Sequence, residues 1–156
     1  MAYQASVTNT NFPLILSGEG LVKENETLLT IGGRSTNMVT GTLMAKYTTG
    51  ANAGKWAPWL NANLGATDGT QTPAGILVAD TLLAATIAAG DVTNLAILVG
   101  GSVCQVDSSL LTIDGGTATL SSVPTVPTNA CRTAEQLLNM IGIFPTSTIV
   151  GDQLEN

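Results

Sequence analysis

The segment of residues 68–78, Asp-Gly-Thr-Gln-Thr-Pro-Ala-Gly-Ile-Leu-Val, constrains the fold most, because it joins a tight turn, a proline and an apolar β-prone run. Asp68-Gly69 places a residue that tolerates a positive φ before one that adopts it freely, which predicts a turn. Pro73 lacks a backbone N–H, so we expect a strand to start after it. Gly75 predicts a point where two backbones approach closely. The turn therefore fixes where a buried strand, Ile76-Leu77-Val78, enters the core.

A hairpin is predicted before this turn. Residues 39–47 alternate with the two-residue period of a half-buried strand, and residues 55–60 look like its return partner after a glycine-bearing loop. Pro58 confines the return strand to a sheet edge or a bulge. This placement predicts that Trp56 and Trp59 lie near a surface, either as interface anchors or as a lid on the domain's own core.

The second half of the chain predicts more strands and one helix. Residues 95–106 read as a buried strand interrupted by a bulge at Gly100-Gly101, and Asp114-Gly115-Gly116 predicts a second hairpin. Residues 81–89 are compatible with either a short helix or a loop. Thr133 opens a capping-box pattern ahead of a helically spaced apolar face, and Gly142 suits the helix end. The sequence thus predicts a mainly β single domain with one short C-terminal α-helix.

Composition narrows the possible partners. Charged residues make up only 10% of the chain, against an average near ~25%, so the surface is either covered by copies or a partner, or solvated by Thr, Ser and Asn. The net charge is −6 and the five basic residues are scattered. Binding to nucleic acid or to an anionic membrane needs clustered cations, so we expect neither. The basic residues are Lys23, Arg34, Lys46, Lys55 and Arg132.

The residues offer little for catalysis. The chain has no histidine, which removes the commonest general base and metal ligand. Cys104 and Cys131 lack metal-site spacing; they could pair if their strands meet, but in a reducing compartment we expect two buried thiols. Most acids stand beside turn residues, so an enzyme with a carboxylate pair is the weakest hypothesis. We therefore predict no enzyme activity, no catalytic residue, no metal or cofactor site and no small-molecule substrate.

The first 25 residues form a polar, glycine-bearing stretch around one apolar cluster, Phe12-Pro13-Leu14-Ile15-Leu16. Such a stretch is either an edge strand of the domain or an arm that orders on a partner, and we favour the arm. Because the first residues lack the features of a secretory signal, we expect synthesis in a cytoplasm.

In their order along the chain, these segments resemble the head-decoration proteins of tailed phages, the group related to the lambda head protein D. The matching segments are residues 14–20 and 23–29, the turn into residues 41–45, the return strand at residues 55–58, the turn and strand at residues 68–77, the strand at residues 97–99, the strand at Val103, and the helix ending in Gly142-Ile143-Phe144. Residues 112–129 and the tail after Phe144 depart from the family's pattern.

The resemblance implies a small sandwich-like or barrel-like β fold (β-tulip-like) with an extended N-terminal arm. It implies a homotrimer that binds the major capsid protein on the exterior of the phage head and cements the expanded capsid against the pressure of packaged DNA. It divides the chain into an arm (residues 1–25), a decoration domain (26–145) and a tail (146–156). The expected capsid contacts are Phe12, Leu14, Ile15, Leu16, Ser17 and Glu19, and the expected trimer contacts are Trp56 and Trp59.

This assignment gives one testable expectation, and one alternative function remains beside it. A chain that lacks residues 1–25 is expected to fold and trimerise but to leave phage heads undecorated. The alternative function is a phage surface β-domain that binds carbohydrate through Tyr47, Trp56 and Trp59.

Overall fold

The computed structural model describes residues 4–7, 14–60, 66–114, 120–121 and 132–146, with residues 4–7 and Ser17 described by their backbone only. The strands are β1 (Gln4–Val7), β2 (Ile15–Leu28), β3 (Leu43–Lys46), β4 (Trp56–Pro58), β5 (Pro73–Leu77), β6 (Val92–Asp107) and β7 (Ile143–Thr146). The helices are α1 (Ala84–Ala89), α2 (Ala134–Met140) and a 3-10 turn (Ser108–Leu110). The mainly β class with a short C-terminal helix is confirmed, and α1 forms where the sequence left helix or loop open.

The sheet closes on itself. Its strand order is β1-β2-β4-β3-β5-β6-β7, and β2 also pairs with β6, so β2, β4, β3, β5 and β6 form a ring. The β2–β6 pairing is antiparallel and runs from Ile15–Val106 to Leu28–Val92. The β2–β4 junction is a single parallel pair, Leu28 with Trp56. The predicted barrel-like form is confirmed, and β1 and β7 are the outermost strands of the order.

Alternate residues of the central strands enter two separate apolar clusters. In β3, Leu43 and Ala45 belong to the first cluster and Met44 to the second. In β5, Ile76 belongs to the first and Leu77 to the second. Both faces of these strands are therefore buried, as in sheets covered on two sides. The prediction of a half-buried strand at residues 39–47 is wrong for this reason.

Each helix covers one cluster. Ile87 of α1 packs in the second cluster, whereas Ala134 and Leu138 of α2 pack in the first. The capping box that begins α2 is confirmed, because the Thr133 hydroxyl accepts a hydrogen bond from the Gln136 backbone and the Gln136 side chain accepts one from the Thr133 backbone. Among the described residues, no helix is long and apolar enough to cross a bilayer.

The turn at residues 68–78 has the predicted form. The Asp68 carboxylate accepts hydrogen bonds from the backbone N–H (3.0 Å) and hydroxyl (2.6 Å) of Thr70, and Gly69 has a φ of 103°. Strand β5 begins at Pro73. A Cβ on Gly75 would lie 2.7 Å from Ile97 Cγ2 and from the Leu98 carbonyl oxygen, so the close approach predicted there is confirmed.

The predicted arm does not end at residue 25. Residues 15–28 form β2, and Leu14 and Ile15 are buried in the first cluster at 1% and 2% exposure. The physical reason is that the long apolar strand β6 needs a partner for its backbone, and β2 supplies it along most of its length. Residues 14–25 therefore belong to the folded domain, and a partner-bound arm stays a prediction for the residues before Leu14.

Several predictions fall outside the described residues. They include Cys131, most of the predicted 114–116 hairpin turn, and the tail after Thr146. Cys104 is a buried free thiol.

A candidate protein-contact surface at the crossing of β2 and β6

Glycines on both strands bring β2 and β6 into close contact. Gly20 pairs with Gly101 and Leu21 with Gly100, and the register then shifts by one residue before the next pair. A Cβ on Gly101 would lie 2.6 Å from the Cys104 Cβ and would collide with the Glu19 carbonyl oxygen. The bulge predicted at the two consecutive glycines is confirmed, and only residues without a side chain fit this crossing.

The end of α2 is fixed against the same crossing. The Gly101 N–H donates to the Ile141 carbonyl oxygen (3.1 Å), and the Cys104 N–H donates to the Gly142 carbonyl oxygen (2.9 Å). Gly142 has a φ of 85° and its backbone touches the Gly101 carbonyl. Three chain segments therefore meet here: the Gly18–Leu21 part of β2, the Gly101–Cys104 part of β6 and the residues that end α2.

An open groove of about 260 Å³ lies at this junction, lined by Glu19, Gly20, Leu21, Gly101 and Ser102. Backbone and small side chains form most of its wall, and the Glu19 carboxylate is its one ionisable lining group. The open form of the groove suits a contact with another protein better than the enclosure of a small molecule, which needs a deeper cavity.

Two exposed apolar side chains belong to the chain segments that meet at this junction. Val103, next to the lining residue Ser102, is 63% exposed, and Met140, next to Ile141, is 62% exposed. They are the two most exposed large apolar side chains among the described residues. Val103 also has a φ of 50°, a left-handed conformation that is a rare, strained choice for a β-branched residue. Such strain persists where the surroundings enforce it, and it often marks a functional contact.

The indoles predicted to lie near a surface are buried. Trp56 and Trp59 are 2% and 0% exposed. The Trp56 Nε1–H donates to the Glu26 carboxylate, and the Trp59 Nε1–H donates to the Gln71 carbonyl oxygen (3.0 Å). The Leu28–Trp56 pair closes the ring over β4, so Pro58 does not leave the strand exposed. The predicted trimer-contact role of both residues, and their use as a carbohydrate platform, therefore lack structural support.

Burial of both indoles gives a direct spectroscopic prediction. In the folded chain the tryptophan emission is expected to be blue-shifted and iodide quenching several-fold weaker than in the urea-unfolded chain, because neither ring meets water. Addition of mono- or oligosaccharides is expected to leave the emission unchanged. Quenching as strong as in the unfolded chain would show that an indole lies at the surface. A saturable change of emission on addition of a sugar would support the carbohydrate-binding alternative.

The predicted capsid-contact residues separate in the structure. Leu14 and Ile15 are buried in the core, Leu16 is half-buried, and Glu19 is exposed at the groove. Phe12 and the Ser17 side chain lie outside the described part. Sequence reasoning missed Ser102, Val103 and Met140 as surface candidates. The glycines at the crossing were a usable signal for the place, but nothing in the sequence marked the exposure of Val103.

The acids predicted as turn residues do take such positions. Asp68 and Asp107 each accept hydrogen bonds from the backbone and hydroxyl of the residue two positions later. Two others form ion pairs: Asp91 with Lys55 (2.7 Å) and Asp114 with Arg34 (2.5 Å). Across the described residues, no three His, Cys, Asp or Glu side chains gather closely enough to hold a metal ion.

Comparisons of the chain with protein-family models, with curated proteins and with solved structures found no match. The resemblance to phage head-decoration proteins therefore stays a prediction that rests on the order of the segments along this sequence.

Proposed function

We propose that this chain is a structural virion protein that decorates the exterior of an icosahedral phage head as a homotrimer and stabilises the expanded capsid. The single observation that carries the proposal is the place of the N-terminal residues in the sheet. Gln4–Val7 form β1, which pairs with β2 and is the last strand of the order on its side. An outer strand presents N–H and C=O groups to which a partner can add a strand of its own.

The energetics favour attachment by several chains at once. Ordering the partner segment that adds to β1 costs about 1–2 kcal/mol per residue, while each hydrogen bond returns about 0.5–1.5 kcal/mol net. A single N-terminal segment therefore binds weakly. Three segments on one trimer act at high effective concentration, which makes attachment stable without a new kind of contact. Since Leu14 and Ile15 are buried in the domain core, the attaching segment is the part of the chain before them.

The low charge content supports the same function. Only 10% of the residues are charged, and the two most exposed large apolar side chains of the described part, Val103 and Met140, belong to segments that meet at one junction. A freely diffusing monomer relies on interspersed charge for solubility, whereas a protein packed among copies and a capsid does not.

The test is a decoration experiment with expanded heads of the phage that encodes the chain, prepared without this protein. Full-length protein is expected to co-sediment with the heads saturably, and electron microscopy is expected to show threefold projections on the exterior. A variant that lacks residues 2–13 is expected to lose at least about tenfold in affinity, because the main-chain contacts of three segments disappear together.

Thermal unfolding and light scattering of the same variant provide the control, since it must remain folded and trimeric for its loss of binding to be meaningful. Failure of the full-length chain to bind the heads would overturn the proposed function. Equal binding by the shortened variant would remove the N-terminal segment from the mechanism.

A further inference from the structure

We propose that the groove at the crossing of β2 and β6 receives Arg132 of a second copy of this chain, which pairs with Glu19 while Val103 and Met140 pack in the same contact. The inference rests on the proposed function in one respect, the homotrimer, and it names the surface through which the copies meet.

Charge complementarity identifies the occupant. Four of the five basic residues form ion pairs inside the chain: Lys23 and Lys46 with Glu26, Arg34 with Asp114, and Lys55 with Asp91. Arg132 is the fifth. It is exposed, and within the described part of the chain it has no ion pair. A copy of this chain therefore offers one free described cation, and that cation is Arg132.

The groove supplies the matching anion. Glu19 is exposed at the groove and, among the described residues, forms no ion pair. The rest of the lining is Gly20, Leu21, Gly101 and Ser102. Two of these four residues are glycines and a third is a serine, which leaves room for a long guanidinium side chain. Arg is the cation best suited to such a contact, because its planar donors bind a carboxylate in a fixed orientation.

The two groups occupy different places on one molecule. Arg132 precedes Thr133, the residue that caps the start of α2, whereas the groove lies beside Ile141 and Gly142 at the end of that helix. The seven residues of α2 separate these ends by about 10 Å at the helical rise of about 1.5 Å per residue. A contact between unlike patches of identical chains is head-to-tail, and it closes into a ring when the rotation per copy permits. A trimer is one such ring.

Apolar and charged groups have separate roles in this contact. Val103 and Met140 provide apolar area that leaves water on association. The resulting hydrophobic stabilisation is not directional. The Glu19–Arg132 pair sets the orientation and excludes incorrect arrangements, as charges at interfaces generally do. Val103 combines a left-handed backbone with a side chain that is 63% exposed, so its apolar area is free for such a contact.

Charge reversal tests the pair in the full-length chain. Glu19→Arg and Arg132→Glu are each expected to raise the dissociation constant of the trimer by about tenfold or more, because each places like charges together in every contact of the ring. The double variant Glu19→Arg/Arg132→Glu is expected to return to near the original constant. Sedimentation equilibrium over a range of protein concentrations gives these constants, and circular dichroism confirms that the variants are folded.

Glu24→Arg is the matched control, because Glu24 is an exposed glutamate of the same strand and lies outside the groove. It is expected to leave the trimer unchanged. A second variant, Met140→Lys, tests the apolar part and is expected to weaken association without any rescue by charge reversal.

The outcomes separate this inference from the proposed function. The inference is overturned if the single reversals leave the dissociation constant of the trimer unchanged. It is also overturned if the losses of association free energy in the two single variants simply add in the double variant. In either case, decoration of heads by the original chain would still support the function. If the original chain is monomeric at every concentration, the inference also fails. Absence of head binding by the original chain is a separate result that concerns the function alone.

Discussion

Deletion of residues 2–25 is expected to abolish folding, whereas deletion of residues 2–13 is expected to leave a folded domain. The longer deletion removes Leu14, Ile15 and Val22 from the first cluster, and burial of each is worth about 1.5–3 kcal/mol. It also removes the strand that pairs with β6 along most of its length. Together these losses are comparable with the whole stability of a typical domain, about 5–15 kcal/mol.

The shorter deletion removes β1 but leaves β2 complete, and among the described residues the first cluster begins at Leu14 and the second at Leu28. Far-ultraviolet circular dichroism and urea unfolding of both variants check the prediction. Cooperative unfolding of the longer deletion near the midpoint of the full chain would mean that β2 is dispensable. That result would restore the arm boundary at residue 25 inferred from the sequence.

Short-range features of this fold could be predicted from the sequence. The turn at Asp68-Gly69, the start of β5, the capping box at Thr133 and the bulge at Gly100-Gly101 each depend on residues a few positions apart, whose conformational preferences are local. The structure contains all four. The mainly β class follows from the same local signals.

Strand β2 could not be predicted in the same way. Its sequence, ILSGEGLVKENETL, contains two glycines and several charged residues, so it has low strand propensity of its own. It is a strand because β6 pairs with it and because Glu26 is neutralised by lysines on β2 and β3. Tertiary contacts override local preference here, and those contacts are distant in sequence.

The candidate site depended on long-range facts as well. Pro58 predicted a strand at a sheet edge or a bulge, but β4 lies between β2 and β3. The pairing of Leu28 with Trp56, which closes the ring, joins residues 28 positions apart. The junction that contains Val103 depends on the contact of the end of α2 with β6, which joins residues about 40 positions apart. Glu19 was the one predicted contact residue that the fold brings to the groove.

Replacement of Glu26 by leucine is expected to cost about 2–3 kcal/mol of unfolding free energy. Glu26 is 8% exposed, and its carboxylate accepts hydrogen bonds from Trp56 Nε1, Lys23 Nζ (2.9 Å) and Lys46 Nζ (3.1 Å). Lys46 Nζ also lies 5.0 Å from the centroid of the Trp56 ring. Loss of one partner of a buried pair costs about 3–5 kcal/mol, and the value here is smaller because both lysine side chains are 28% exposed and can reach water.

The effect is large because Glu26 joins three strands of the ring. It lies on β2, Trp56 on β4 and Lys46 on β3, and the direct β2–β4 pairing is a single residue pair. The carboxylate therefore strengthens the weakest junction of the closed sheet. Glu24→Leu, on an exposed position of the same strand, is the matched control and is expected to change stability by less than about 0.5 kcal/mol.

The same carboxylate gives stability a defined pH dependence. Burial acts to raise the pKa of Glu26, but the hydrogen bonds from Trp56, Lys23 and Lys46 outweigh it and hold the pKa below the ordinary 4.5. A carboxyl with a lower pKa in the folded state stabilises the fold above its unfolded pKa, and this contribution is lost as the pH falls through the folded value. Urea unfolding is therefore expected to show stability falling below ~pH 4.5.

Glu26→Gln isolates this contribution, since it keeps the shape and an acceptor for Trp56 but cannot ionise. Asp68 and Asp91 also have pKa values below the ordinary range, through hydrogen bonds from Thr70 and Lys55 respectively, so the original chain alone does not identify the group. Asp68 and Asp91 are present in both proteins, so their contributions cancel in the difference in unfolding free energy between the original chain and Glu26→Gln. Between ~pH 7 and ~pH 3, that difference is expected to stay level down to ~pH 5.5 and then to shrink as the pH falls through ~4.5. A difference that stays constant over this range would show that ionised Glu26 does not stabilise the ring.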